Sequence, residues 1–297
     1  MSNSSPTFLV TGAAGHLGHR VAELLLERGI GTVIAGSRDP SRLSDLAAAG
    51  AVLRKVDFED PNLAEAFAGV DRLLIVSTDA ITEPGRRLRQ HKAAVAAAKA
   101  AGVRHVTYTS MPRPEPASPI PFAPDHHGTE QALVESGLSH AVLRNSWYAE
   151  NLLASLPKVL ASGKWFSAAG EGRVSHVTRE DCAQAAAAVL VDPPPEDACY
   201  TITGPQALTT AEIASIASAE LGRPITVVPV SDEELATGLT AAGVPASYVP
   251  LLVAFDVNTR QGRVDIVTDA VKMLTGREPV ALRDFFAVNR GAFLATA

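Results

Sequence analysis

The chain is expected to be an α/β protein: a Rossmann-like doubly wound parallel sheet followed by a smaller α+β C-terminal lobe. Three observations predict it. From Thr7 to Arg144 short apolar runs alternate with helical patterns, and strands so separated need crossover connections, which make a parallel sheet. Directly after the first run stands a glycine loop that opens a helix, Gly12-Ala13-Ala14-Gly15-His16-Leu17-Gly18. After Arg144 the alternation changes to helices with scattered strand-like runs.

FLVT (8–11) is the first strand, and the helix after it runs from about 16 to 28 with Val21, Leu24 and Leu25 on one face. TVIAGS (32–37) precedes Asp39-Pro40, a helix cap followed by proline at the first helical position. AVLRKVD (51–57) is followed by Asp60-Pro61, the same start signal. RLLIVS (72–77), VRHVTYTS (103–110) and HAVLR (140–144) continue the sheet. Six prolines in the fourteen residues from Met111 to Pro124 exclude helix and sheet interior. That segment is read as a loop past the C-terminal sheet edge, where ligands bind in open α/β folds, or as a plain surface connector. Beyond it, helices are expected over 148–160, 177–190 and 209–221, from 231, and near 249 and 269, with strands at 199–203 and 225–230. The organisation predicted is a first unit over 1–150, with 175–192 packing back on it. The smaller lobe, 151–297, covers its mouth with segments interleaved.

With 297 residues, 46% hydrophobic and 20% charged, the chain can bury a sizeable core. A net charge of −6 without a basic block argues against nucleic acid as a partner. The start, MSNSSPTFLV, lacks a basic n-region, and no apolar run approaches the roughly 18 residues of a membrane span. A cytoplasmic protein without membrane contact is expected. Cys182 and Cys199 have no CxxC spacing and the histidines no HExxH, so two buried small hydrophobes and no metal are expected.

A glycine loop between strand and helix meets a specific demand: a tight turn, backbone close to a pyrophosphate, and a helix N-terminus facing the charge. It assigns Gly12, Ala14, Gly15, His16, Leu17 and Gly18 to a dinucleotide. At the end of the second strand an acid would hold the ribose of NAD, whereas arginine accommodates the 2′-phosphate of NADP. Ser37 and Arg38 stand there, and Asp39 is accounted for as the cap, so NADPH is expected. Asp57 and Phe58 follow the third strand and are read as holding the adenine, with a turn aspartate as an equal alternative. Ser77 and Thr78 end the fourth strand beside the ribose.

TGAAGHLG, SRDPSRL, VDFEDPNLAEAFAGVDRLLIVS, AAKAAGVRHVTYTS and LRNSWYAENLLAS together resemble the NmrA-like group of atypical short-chain dehydrogenases/reductases. Within that group it resembles the bacterial NADPH-dependent quinone oxidoreductase 2 type, with triphenylmethane reductases as near relatives. The resemblance spans nearly the whole chain and is looser after about residue 235. It implies NADPH across the sheet edge, a small C-terminal lobe, and a quinone-like acceptor between them. Many reductases of this build carry a Tyr-x-x-x-Lys pair whose tyrosine protonates the substrate oxygen. Counted back from Ser136-Gly137, the two places hold Phe122 and His126. Phenylalanine transfers no proton, which suits an acceptor whose reduced form is a phenolate rather than a strongly basic alkoxide.

By the same resemblance, His126 either keeps the ribose contact or supplies a proton with a pKa near neutrality; a solvent-facing histidine at a helix start is the alternative. His127 is expected to be exposed. Ser110 is placed to orient a quinone oxygen. Asn145, Ser146 and Trp147 should meet the nicotinamide amide. Trp147 and Tyr148 either stack on a flat ring or join the lobes as a buried pair. The expected partners are a small quinone-like molecule and, as an option, a second copy in a homodimer. The reading is an NADPH-dependent reductase of quinones or similarly activated acceptors, with a non-catalytic NADP(H)-binding redox sensor as the alternative.

Overall fold

In the computed structural model, which describes residues 5–295, strands form at β1 (Thr7–Val10), β2 (Thr32–Ser37), β3 (Val52–Lys55), β4 (Arg72–Ile75), β5 (His105–Ser110), β6 (Ser139–Asn145), β7 (Lys164–Ser167), β8 (Arg173–Val174), β9 (Ala198–Ile202), β10 (Leu208–Thr209) and β11 (Thr226–Pro229). The first four residues of the start, in which no leader pattern was read, lie outside the described residues. Seven strands pair in parallel in the order β3-β2-β1-β4-β5-β6-β9. The order reverses between β1 and β4, and there a doubly wound sheet opens a crevice at its carboxyl edge.

The helices are α1 (His16–Arg28), α2 (Ser44–Ala48), α3 (Leu63–Ala66), α4 (Arg86–Ala100), α5 (Ala123–Ser136), α6 (Leu152–Ser162), α7 (Arg179–Val191), α8 (Thr210–Leu221), α9 (Asp232–Ala241), α10 (Val249–Arg260), α11 (Ala270–Thr275), α12 (Leu282–Val288) and α13 (Arg290–Ala295). α1 and α7 cover one face of the sheet, where Phe8, Val10, Val21, Leu25, Ala186 and Leu190 share a core. α4 and α5 cover the other, over Leu9, Leu73, Ile75, Val106 and Leu133. A third core around Leu156, Ile213, Leu221, Phe285, Phe286 and Phe293 belongs to the C-terminal segments. Two small sheets, β7 with β11 and β8 with β10, stand beside it.

Several local expectations differ from the structure. Of the two cysteines expected to be buried only Cys182 is; Cys199 is exposed because it lies on β9, the edge strand of the large sheet. The run 199–203, read with the smaller lobe, is β9 and completes the large sheet beside β6, with Val142 opposite Cys199. Asp60-Pro61 does not itself start a helix. Asp60 accepts the Asn62 N–H in a turn, and α3 begins at Leu63. Asp39-Pro40 opens a single 3-10 turn, Pro40–Leu43, before α2. In the proline-rich segment Arg113 has φ 46° and donates to the Gly262 carbonyl, so the loop is tied to the C-terminal half. No helix is long and apolar enough to cross a membrane among the described residues.

Candidate active site

The carboxyl edge of β1 to β4 opens into a cleft of about 520 Å³ lined by Thr11, Gly12, Ala14, Gly15, Ser37, Arg38, Asp39, Arg42, Val56, Asp57, Phe58, Val76, Ser77, Thr78, Asp79 and Gln90. Its floor is the glycine loop. Gly12 has φ +63°, which turns the chain back so that Gly15 N–H bonds the Gly12 carbonyl at 2.9 Å. α1 then starts at His16 with no side chain capping it, so its first N–H groups have no helical acceptor. A Cβ on Gly15 would meet only the Gly12 oxygen, at 3.3 Å, which leaves that backbone open towards the cleft. At Gly18 a Cβ would lie 2.6 Å from the Gly12 oxygen and 2.9 Å from the Thr11 oxygen, so the helix can pack here only as glycine. His16 is exposed at the helix start, while Leu17 turns its side chain into the core and has only its backbone at the loop.

At the cleft rim Ser37 is buried and accepts the Asp39 N–H at 3.2 Å. Asp39 accepts from the Ser41 N–H at 3.1 Å and its hydroxyl at 2.6 Å, so its carboxylate is committed to the turn. Arg38 is 69% exposed, with Asp79 as its nearest acid at 4.0 Å. Arg42 joins Arg38 on the rim, a residue that sequence reasoning missed. Its position one 3-10 turn after Asp39-Pro40 is the available signal. Phe58 is buried against Leu63 and Phe67 and still lines the cleft, whereas the Asp57 carboxylate accepts the Glu59 N–H at 3.0 Å.

Thr78 is held entirely by α4. Its N–H donates to His91 Nε2 at 3.0 Å, its hydroxyl to Gln90 Oε1 at 2.8 Å, and its carbonyl accepts from Arg87 Nε at 2.7 Å. Ser77 is set by Thr109, which takes its N–H at 2.9 Å. Gln90, Arg87 and His91 were also unforeseen, since nothing in the helical pattern marks which face meets the end of β4.

The residues expected at the chemical end are placed differently from one another. His126 is buried, not solvent-facing, and His127 is half-buried rather than exposed. Arg87 Nη2 donates to His126 Nε2 at 3.0 Å, so the ring proton sits on Nδ1 and goes to the Tyr108 hydroxyl at 2.8 Å. Burial, reinforced by Arg87 and His91, holds His126 well below the ordinary imidazole range. The expectation of a proton donor near neutrality is therefore corrected: this imidazole stays neutral. Ser110 is engaged within the protein. Its hydroxyl proton goes to Glu130 Oε1 at 2.6 Å, and Arg144 clamps the same carboxylate at 3.0 and 2.6 Å. Tyr148 packs against the α1/α7 core, accepts from Asn145 Nδ2 at 3.1 Å, and burial pushes its hydroxyl pKa up.

Asn145 Oδ1 is buried at the end of β6 with no hydrogen-bond partner among the described residues, as is Trp147 Nε1. Both atoms are left with hydrogen-bonding capacity to spare. Ser146 instead meets the Ser175 hydroxyl at 3.2 Å, facing the C-terminal half. Trp147 and Tyr148 do not form one ring stack: Tyr148 lies in the first core and Trp147 crosses Phe255 of α10 edge-on at 5.0 Å. Phe122, Trp147 and Phe255 are all half-buried and pack on Met111, Ile120, Ala123 and Ala254, an apolar cluster where β5 ends and α5 begins.

Three buried imidazoles and the half-buried His176 make a prediction about acid. Burial lowers His91 to about 3, and His105 and His176 to about 4, alongside His126. Above about pH 6.5 these rings are neutral in both the folded and the unfolded chain. Below it the unfolded chain takes up protons that the folded chain excludes, so stability falls as pH drops towards 4, by up to about 1.4 kcal/mol per ring and pH unit. Calorimetry should find a Tm several degrees lower at pH 5 than at pH 7.5. An unchanged Tm would contradict the neutral assignments.

Comparison with known proteins agrees with this geometry. Residues 12–193 match the family model described as NAD(P)H-binding. The chain is 35% identical over 277 residues to quinone oxidoreductase 2 of Escherichia coli (strain K12), covering 93% of this chain and 96% of that protein. The fold superposes on the NADPH complex of the NADPH-dependent quinone oxidoreductase from Escherichia coli with TM-score 0.88 and 33% identity, over 95% of this chain and 99% of the other. The Citrobacter triphenylmethane reductase complexed with NADP(H) gives 0.85 and 33%, over 93% and 98%. A strand-to-helix glycine cradle, an arginine rim and a matching fold over nearly the full length lead to one assignment: the chain belongs to the NAD(P)H-binding, NmrA-like family of atypical short-chain dehydrogenases/reductases.

Proposed function

We propose that the protein is an NADPH-dependent oxidoreductase that reduces a quinone or a similarly activated conjugated acceptor. The observation that carries this reading is the want of an acid at the chemical end. Phe122 has no proton to give, His126 is held neutral between Arg87 and Tyr108, and the Ser110 proton is spent on Glu130. An acceptor whose oxygen leaves as a phenolate needs no strong protein acid, because water protonates it.

The residues present fit the cofactor. The backbone at Gly12, Ala14 and Gly15 and the first turn of α1 would hold the pyrophosphate, Ser37, Arg38 and Arg42 the 2′-phosphate, and Phe58 and Asp57 the adenine side. Ser77 and Thr78 would border the ribose, and the orphaned Asn145 Oδ1 would accept from the nicotinamide amide beside Ser146 and Trp147. NADPH, when bound, supplies a hydride. The chain's part is orientation: Thr78 is pinned by α4, and the half-buried faces of Phe122, Trp147 and Phe255 offer walls for a flat ring. Ser110 and His126 act by holding Glu130 and Tyr108 in place, and Tyr148 by orienting Asn145. The same reading assigns the chain to the cytoplasm, where the free thiols Cys182 and Cys199 stay reduced, and allows a homodimer.

The test is NADPH absorbance followed with simple benzoquinones and a cationic dye. Acceptor-dependent, saturable loss of NADPH is expected. Saturable NADPH binding without oxidation across the whole panel would remove the enzyme reading and leave the redox sensor.

A further inference from the structure

Arg87 lies on the inner face of α4, is only 5% exposed, and stands among groups that do not neutralise it. Its Nε donates to the Thr78 carbonyl at 2.7 Å, its Nη2 donates to the neutral His126, and its guanidinium sits 5.1 Å from the centre of the Phe122 ring. Nη1 is buried without a hydrogen-bond partner among the described residues. The acids whose charge reaches it are Asp125, half-buried in the first turn of α5, and Asp79, exposed on the cleft rim, and neither bonds to it. A buried charge with no acid bonded to it is costly and is kept where something else supplies more of the opposite sign.

The setting says where that something lies. Arg87 touches both positions that stand in place of the tyrosine and the lysine, Phe122 and His126, and it also fixes Thr78. Gln90, one turn further along the same helix face, lines the cleft directly. Resting on the NADPH-dependent reading above, we infer that Arg87 is a positioning residue of the site: α4 contributes a buried positive charge behind Thr78, on the nicotinamide side of the crevice, and the phosphate on that side of bound NADPH offsets it, the reduced ring itself being neutral. The cation that α5 would carry as lysine comes here from a different helix and acts through Thr78 and His126. Folding holds it in place before the cofactor arrives, so the negative charge of the cofactor meets a fixed positive field instead of water that must reorganise.

The experiment separates charge from hydrogen bonding and one half of the cofactor from the other. NADPH affinity is measured by titration calorimetry for the unaltered protein, Arg87→Lys and Arg87→Gln, alongside adenosine 2′,5′-bisphosphate as a probe of the adenosine half alone. Arg87→Lys should bind NADPH within about threefold of the unaltered protein, and Arg87→Gln should lose about tenfold, since a buried charge is weakly screened. Both variants should bind the bisphosphate within about twofold. Should Arg87→Gln fold poorly, Arg87→Met, which leaves no polar atom to bury, carries the same expectation. Equal losses in the lysine and glutamine variants would make Arg87 a hydrogen-bonding strut and overturn the inference, as would unaltered affinity in both. A parallel loss of bisphosphate binding would overturn the assignment to the nicotinamide end. Affinity is read without an acceptor, so a protein that binds NADPH but reduces no quinone leaves this inference standing.

Discussion

Gly18→Ala is expected to abolish measurable NADPH binding and to lower the Tm by several degrees. The added Cβ would lie 2.6 Å from the Gly12 oxygen, 2.8 Å from the Gly12 carbonyl carbon and 2.9 Å from the Thr11 oxygen. All three are backbone atoms, so no side chain can swing aside. Nor can the loop yield freely: Gly12 is in a left-handed turn at φ +63° with its own would-be Cβ 3.3 Å from Val76, and Thr11 is anchored by its N–H and hydroxyl to the Leu74 carbonyl. α1 must therefore shift off the sheet. Overpacking of this kind costs about 1–3 kcal/mol, or about 2–4 °C of Tm for each kcal/mol in a chain this long. The shift also withdraws the N–H groups of the first turn from where a pyrophosphate would lie, and that geometry tolerates little displacement. Gly15→Ala is the informative partner. Its Cβ meets a single atom at 3.3 Å, so the Tm should stay near that of the unaltered protein while NADPH affinity falls, because the methyl group stands in the backbone's line of approach to the ligand. Thermal unfolding and calorimetric titration of the two variants check the pair. A Gly18→Ala protein that binds NADPH normally would detach the loop from cofactor binding altogether.

What could be read from the sequence divides along local and non-local lines. The glycine loop, the start of α1 at His16, the whole of β2 and the capping role of Asp39 are decided by residues within a few positions of one another. So are the capped starts of α7 at Thr178, α8 at Thr209 and α9 at Ser231, where a hydroxyl accepts the N–H three residues on. The addition of β9 to the large sheet was not legible. The run Ala198–Ile202 lies about fifty residues beyond its partner β6, and only tertiary packing of α7 against α1 brings it back. The same limit applies within the site. Phe122 and His126 could be found by counting along α5, but the fate of His126 depends on Arg87, 39 positions away on another helix. Periodicity gives α4 a weak signal: its buried face carries Arg87, Gln90 and His91 among alanines, and such a face cannot be told from a solvated one until its partners are known. Ser110 stands at a strand end as expected, while the carboxylate that takes its proton comes from α5 and is not visible from the strand.

Removing both rim arginines, Arg38→Ala with Arg42→Ala, is expected to lower kcat/KM for NADPH about a hundredfold and leave NADH within about twofold. Both side chains are exposed at the mouth where β2 ends, and among the described residues the acid nearest the Arg38 guanidinium is Asp79 at 4.0 Å, a pair too loose and too solvated to hold it. A 2′-phosphate would offer two or more oxygens to that guanidinium pair. Hydrogen bonds to charged groups contribute about 1.5 kcal/mol each at the exposed end of their range, so two together approach 3 kcal/mol, about a hundredfold. NADH lacks the phosphate and loses nothing. It gains nothing either, because the Asp39 carboxylate is held by the Ser41 N–H and hydroxyl and does not turn to a ribose 2′-hydroxyl. The preference should also weaken as ionic strength rises in the unaltered protein, since the rim charges are open to screening. Steady-state rates with each nucleotide and one fixed benzoquinone check both statements. An unchanged ratio of NADPH to NADH efficiency in the double variant would move the 2′-phosphate away from this rim, and with it the physical basis for choosing NADPH.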